Sequence, residues 1–215
     1  MRPYILHGAA RSSAAYRVRI VMHLKDLEFE EEFLDLHTGV QYGPDYSRVN
    51  PQGLVPALVA PDGLVVTQSM AIIEYLDEIE PHAPVLPRDA AGRSRVRSLA
   101  QMIACDIHPI NNLRVRNHVS DLLPQDAGAQ AAWLDKWIVA GLDAFEARLA
   151  RDSGTGVFCH GDQPTMADAC LIPQLNNARA TGRDLSRWPN ILRIAAACDA
   201  LPAFDKARPD RLQAA

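Results

Sequence analysis

The stretch Asn50-Pro51-Gln52-Gly53-Leu54-Val55-Pro56-Ala57-Leu58, with Val65-Val66-Thr67-Gln68-Ser69 shortly after it, decides how this chain reads. Val55 to Ala60 is a short apolar strand whose second residue is proline. Proline removes a ladder donor, so within a sheet it is confined to a strand start, an edge or a bulge. A Val55-Pro56 bond in the cis form would leave the Val55 N–H and C=O unpaired by any strand and open to another peptide backbone. Pro61-Asp62-Gly63 is a hairpin turn, and Leu64 to Thr67 is its partner strand. Gln68-Ser69 stands just before the apolar-periodic run Met70-Ala-Ile-Ile-Glu-Tyr-Leu-Asp, so Ser69 reads as a helix N-cap. A serine hydroxyl and free N–H groups at a helix start suit a carboxylate. A backbone clamp beside a carboxylate clamp implies a small anionic peptide as ligand.

The composition fits a soluble enzyme. A chain of 215 residues, 48% hydrophobic and 22% charged, has the makings of one large domain or two small ones. A net charge of -4 and a pI near 6.0 argue against nucleic acid as the main partner. The start, Met1-Arg-Pro-Tyr-Ile-Leu-His7, is too short and polar for a signal peptide, and no apolar run approaches membrane-spanning length. Cys105, Cys159, Cys170 and Cys198 form no C-x-x-C pair, which suits a reducing cytosol and a role as small core residues.

The periodicity changes once along the chain. Tyr4 to His7 reads as a strand, Ala15 to Leu24 as a helix and Phe29 to Leu36 as a strand, before the clamp hairpin and the Ser69 helix. The order β-α-β, then β-β-α, is that of a thioredoxin-like half-domain. Glu80 to Ala90 carries three prolines and reads as a linker. Beyond it Gly92 to His118, Ala127 to Arg151, Thr165 to Ala180 and Pro189 to Asp199 all read as helices. The expected architecture is an α/β thioredoxin-like domain over residues 1–81 and an all-α domain over residues 91–215, joined by 82–90.

Four motifs, in order, resemble the soluble glutathione transferases and within them the zeta class of maleylacetoacetate and maleylpyruvate isomerases. Arg11-Ser-Ser-Ala-Ala-Tyr-Arg-Val-Arg-Ile20 is similar to the zeta active-site motif. Asn50 to Leu58 with Gln68-Ser69 matches the glutathione clamp. Gly161-Asp-Gln-Pro-Thr-Met-Ala-Asp168 resembles the capping motif of the family's core helix. Cys105 to Asn112 and Leu171-Ile-Pro-Gln174 look closest to the bacterial maleylpyruvate branch.

The resemblance implies glutathione as cofactor, a small anionic substrate, a homodimer and a cytoplasmic setting. It implies Ser12 as the catalytic hydroxyl, with Ser13 secondary and Arg11 on a substrate carboxylate. It further implies that Gln41, His108 and Asn112 contact the glycine end and thiol region of glutathione. Val55 would pair through its backbone, and Gln68 with Ser69 would hold the γ-glutamyl carboxylate. Read physically, Ser12 and Ser13 lie between strand and helix, where a helix N-terminus lowers a thiol pKa from about 8.5 toward neutrality. On their own they read as helix caps. Arg17 and Arg19 lie within the helix and read as structural.

His108 and Asn112, four apart, are expected on one helix face, with Pro109 kinking that helix. The alternative for His108 is a satisfied core histidine. A metal site at Cys105, Asp106 and His108 is disfavoured, because three residues within four positions cannot all face one ion from a regular helix. Two positions depart from the family pattern. Ala14 stands where many zeta members carry cysteine, and Ala180 where the family commonly has a substrate-binding arginine.

Overall fold

A computed structural model describes residues 2–212. The chain divides into two compact units. The first holds the residues up to Val85 together with those from Asp199 onward, and the second holds Leu86–Cys198.

The first unit is built on a four-stranded sheet of order β2-β1-β3-β4, from β1 (Tyr4–Gly8), β2 (Phe29–Phe33), β3 (Ala57–Val59) and β4 (Val65–Thr67). β1 and β2 run parallel, and α1 (Ser13–Leu24) makes the crossover between them. β3 and β4 are antiparallel additions beyond β1, with His7 opposite Ala57 and Ala57 opposite Thr67. This is the expected thioredoxin-like sheet. β2 stops at Phe33, short of the Leu36 read from sequence, and β3 spans three residues where six were expected. The strand at Phe29 to Phe33 alternates poorly, since three glutamates leave little apolar face to extend. A 3-10 turn (Val40–Tyr42) and α2 (Pro44–Ser47) link β2 to the clamp, and α3 (Ser69–Ile79) follows β4.

α1 is buried along nearly its whole length, from Ser13 to Met22, because α3 and a C-terminal helix both pack on it. That last helix, α10 (Pro202–Lys206), reaches α1 from the far end of the chain. The two arginines on α1 are therefore interior residues. Arg19 Nη1 meets Glu31 Oε1 at 2.7 Å, and its other nitrogens donate to the Ala10 and Ala207 carbonyls. Lys25 is equally buried and holds the carbonyls of Glu80, His82 and Ala83 with the Asp77 carboxylate. Several acceptors around each cation are what make such burial tolerable.

The second unit is helical: α4 (Ala90–Gln101), α5 (His108–Asn111), α6 (Leu113–Leu122), α7 (Ala129–Arg151), α8 (Met166–Arg179) and α9 (Pro189–Asp199). α8 is buried on all sides, as the central helix of a bundle must be. Its start carries the expected capping box. Asp168 accepts from the Thr165 N–H and hydroxyl and from the Cys159 N–H, each at 2.8 Å.

The sequence reading placed one helix over Gly92 to His118, and here the structure differs. α4 gives way to a π-helical turn at Met102–Ile107, then α5 with Pro109 at its start, then a break at Asn112. Proline contributes no N–H, so the regular ladder cannot run through it. The backbone responds by widening before it and restarting after it.

Candidate active site

Ser12 is the N-cap of α1. It has an extended backbone, and its Oγ accepts from the Ala15 N–H at 3.2 Å. A hydroxyl that accepts in this way keeps its own hydrogen for a second partner. Ser13 follows as the first helical residue, nearly buried, and Arg11 is exposed in the turn before. Burial pushes the hydroxyls of Tyr16 and Tyr46 up to about 12, so neither ionises near neutral pH. The hydroxyls carried by the first turn of α1 itself are those of Ser12 and Ser13.

The clamp is assembled by the turn before it. The Asn50 side chain donates to the Leu54 carbonyl at 2.7 Å and accepts from the Gln52 N–H at 3.1 Å. Tyr46 from α2 donates to the same Leu54 carbonyl at 2.6 Å. Gly53 sits at φ 62, and an added Cβ there would lie 2.5 Å from the Tyr42 ring, so the turn requires glycine. Just beyond it the Val55-Pro56 bond is cis. No hydrogen bond to the Val55 N–H or C=O is found among the described residues. A half-exposed backbone pair without a strand partner fits an extended peptide laid alongside it.

Ser69 is not the cap that the sequence suggested. It is the first residue of α3, and Gln68 takes the cap position at φ 70 with no capping bond from its side chain. The Gln68 amide instead donates to the Gln52 Oε1 at 2.7 Å, joining the two halves of the clamp. Ser69 Oγ is buried and accepts from Arg17 Nη1 at 3.3 Å. Gln41 is buried too. Its amide donates to the Leu36 carbonyl at 3.3 Å, and its Oε1 is left without a partner.

His108 and Asn112 lie in the second unit, and they do not share a helix face. Asn112 has extended backbone and caps α6, its side chain accepting from the Val115 N–H at 3.1 Å. His108 opens α5 beside Pro109, and the Trp133 ring donates to the Ile110 carbonyl at 2.7 Å to hold α5 against α7. At the end of α8, Ala180 supplies no charge. Arg179 points to Asn176, while Arg183 is paired with Asp135. Neither neighbour is an unengaged substitute for an arginine at position 180.

Sequence reasoning missed Asn50 and Tyr46 as the supports of the Leu54 carbonyl, and Arg17 as the partner of Ser69. The Asn-Pro start of the turn was the available signal for Asn50. For Arg17 the signal was a charge next to Val18, within the apolar-periodic run of α1.

The sheet order, the proline-bounded clamp and the serines at α1 define a glutathione transferase. The profile of the glutathione S-transferase N-terminal domain matches residues 11–79, and that of the C-terminal domain matches residues 127–208. The chain is 44% identical over 207 residues to the maleylacetoacetate isomerase of Rhizobium meliloti, covering 96% of each. A holo structure of maleylpyruvate isomerase, described as a bacterial glutathione S-transferase of the zeta class, superposes with a TM-score of 0.93 at 41% identity, covering 97% of this chain and 98% of that one. The maleylacetoacetate isomerase of Methylobacterium extorquens AM1, solved with malonate and glutathione, also gives 0.93 at 41% identity, with 97% of both chains covered. The chain belongs to the glutathione transferase family, in its zeta class of maleylacetoacetate and maleylpyruvate isomerases.

Proposed function

We propose that this protein is a glutathione-dependent cis–trans isomerase of small dicarboxylic enones such as maleylacetoacetate or maleylpyruvate, working as a cytoplasmic homodimer. The observation that carries this reading is the free Val55 backbone pair in the same unit as the Ser12 hydroxyl. The first suits a peptide, and the second suits its thiolate. Relatives of 41% identity or more named for this reaction, one of them holding glutathione, support it.

Bound glutathione would supply a thiolate that adds reversibly to the cis double bond, so that rotation about the resulting single bond and elimination release the trans product with glutathione intact. Val55 would pair with the cysteinyl backbone, while Gln68 and Ser69 would take the γ-glutamyl carboxylate. Ser12 donates its hydrogen to the thiolate, with Ser13 beside it. Arg11 holds a substrate carboxylate through its planar guanidinium, whose paired donors match the two carboxylate oxygens. Gln41, His108 and Asn112 are assigned to the glycine end and thiol region. Orientation and charge stabilisation provide most of the rate.

A second reading, a transferase on other electrophiles, is favoured by Ala180 and by the pairing of Arg183 with Asp135. The two separate in one experiment that follows maleylpyruvate and free thiol together. The isomerase converts many equivalents of substrate with thiol constant, and Arg11→Leu raises KM for the acid while glutathione affinity holds. Stoichiometric loss of thiol, or a preference for a neutral chlorinated aromatic, would install the transferase reading instead.

A further inference from the structure

Arg17 is 2% exposed, sits in the middle of α1 and reaches across to the first residue of α3, where its Nη1 donates to Ser69 Oγ. Its Nε has no hydrogen-bond partner. A guanidinium left short of a partner in the interior costs stability, so its position calls for a compensating negative charge. α3 is eleven residues long, its N-terminus carries the positive end of the helix dipole, and Ser69 stands there.

We infer that Arg17 is the positioning residue of this carboxylate subsite, acting through Ser69 on the γ-glutamyl carboxylate of glutathione. This deepens the function proposed above and rests on it.

A hydroxyl has one hydrogen and two lone pairs. With Arg17 donating to a lone pair, the Ser69 hydrogen is turned away from α1 and is left to donate to an anion. The guanidinium then lies one hydroxyl behind that anion, inside low-dielectric surroundings where its charge is weakly screened. An alanine at position 17 would leave Ser69 free to rotate. A lysine would keep the charge and lose the planar fork that reaches Ser69 while packed within α1.

The test uses the whole protein and two ligands: glutathione, and its analogue γ-aminobutyryl-cysteinyl-glycine, which lacks only the γ-glutamyl carboxylate. Affinities are measured by calorimetry for wild type, Arg17→Met, Arg17→Lys, Ser69→Ala and the double variant Arg17→Met with Ser69→Ala. Wild type should prefer glutathione. Arg17→Met should weaken glutathione about tenfold, the scale of a lost charge-assisted contact, while leaving the analogue within about twofold. In the Ser69→Ala background the same change should have a clearly smaller effect, because the pathway through the hydroxyl is gone.

Equal losses for both ligands, or no loss for glutathione, overturn the inference and make Arg17 a packing residue. If Arg17→Met does not fold, Arg17→Lys decides alone, with a selective partial loss expected for glutathione. Failure of wild type to bind either ligand would bring down the glutathione reading itself. A wild type that binds and discriminates, beside an Arg17 series that does not move, would bring down only the role of Arg17.

Discussion

Ser12 Oγ accepts a hydrogen bond from the Ala15 N–H at 3.2 Å. The one atom therefore caps the helix and, in the proposed function, would also carry the hydrogen offered to the thiolate. Ser12→Ala removes both roles, and they separate by measurement. Loss of the cap should cost about 1 kcal/mol in urea unfolding. Loss of the donor should cut kcat roughly a hundredfold while glutathione affinity changes much less. A variant destabilised by that amount yet fully active would move the thiolate role to Ser13 or to backbone N–H groups.

Asn50 has a different job, since its bonds shape the turn that precedes Val55. Asn50→Ala strips one donor from the Leu54 carbonyl and the acceptor from the Gln52 N–H, in a residue that is 3% exposed. A destabilisation of about 2 kcal/mol is expected by thermal or denaturant unfolding. The KM for glutathione should rise with little change in kcat at saturation. Unchanged glutathione kinetics would show that Tyr46 alone holds the turn.

The clamp and the capping box were legible because their residue types have few alternatives. A proline at the head of an apolar strand and a Thr-x-x-Asp before an apolar run each narrow the backbone to one geometry. The hydroxyls at the start of α1 were legible for the same reason. The break at Asn112 was not. Spacing of four assumes an unbroken helix, and Pro109 together with the π turn voids that assumption. The position of Ser69 slipped by one residue because Gln68, with φ 70, adopts a conformation unusual for its type. The Arg17–Ser69 bond spans 52 residues in sequence, and no local pattern reports a contact at that distance.

Glu31 supplies the pH prediction. Burial raises its carboxyl above the ordinary 4.5, and Arg19 opposes that rise without cancelling it. A carboxyl with a raised folded pKa binds its proton more readily folded than unfolded. Its contribution is greatest below the unfolded value and is lost as pH climbs through the folded one. Glu31→Gln should therefore compare least favourably with wild type near pH 4, and the gap should narrow toward pH 8. Denaturation midpoints across that range check it. A gap that widens with pH would mean that the Arg19 pair outweighs burial.

Gly141 tests the π turn. A Cβ at this position of α7 would lie 2.3 Å from Ile107 Cδ1, and Ile107 is a buried residue of that turn. Gly141→Ala should cost about 1–3 kcal/mol through overpacking, against the usual gain of such a change in a helix. Because His108 follows Ile107 directly, isomerase kinetics should shift together with stability. A stabilised variant would show that Ile107 has room to turn aside.

The return of α10 to α1 has a consequence for synthesis on the ribosome. The segment that carries Ser12, Val55 and Ser69 emerges first, but its α1 packs against residues translated more than a hundred positions later. Arg19 waits for the Ala207 carbonyl, 188 residues further on. The glutathione-binding half is thus translated early and completed only after the second unit has been made, and until then its arginine face lacks the residues that bury it. A stop codon before Pro202 would remove no proposed ligand contact, yet it would leave the first unit permanently in that unfinished state.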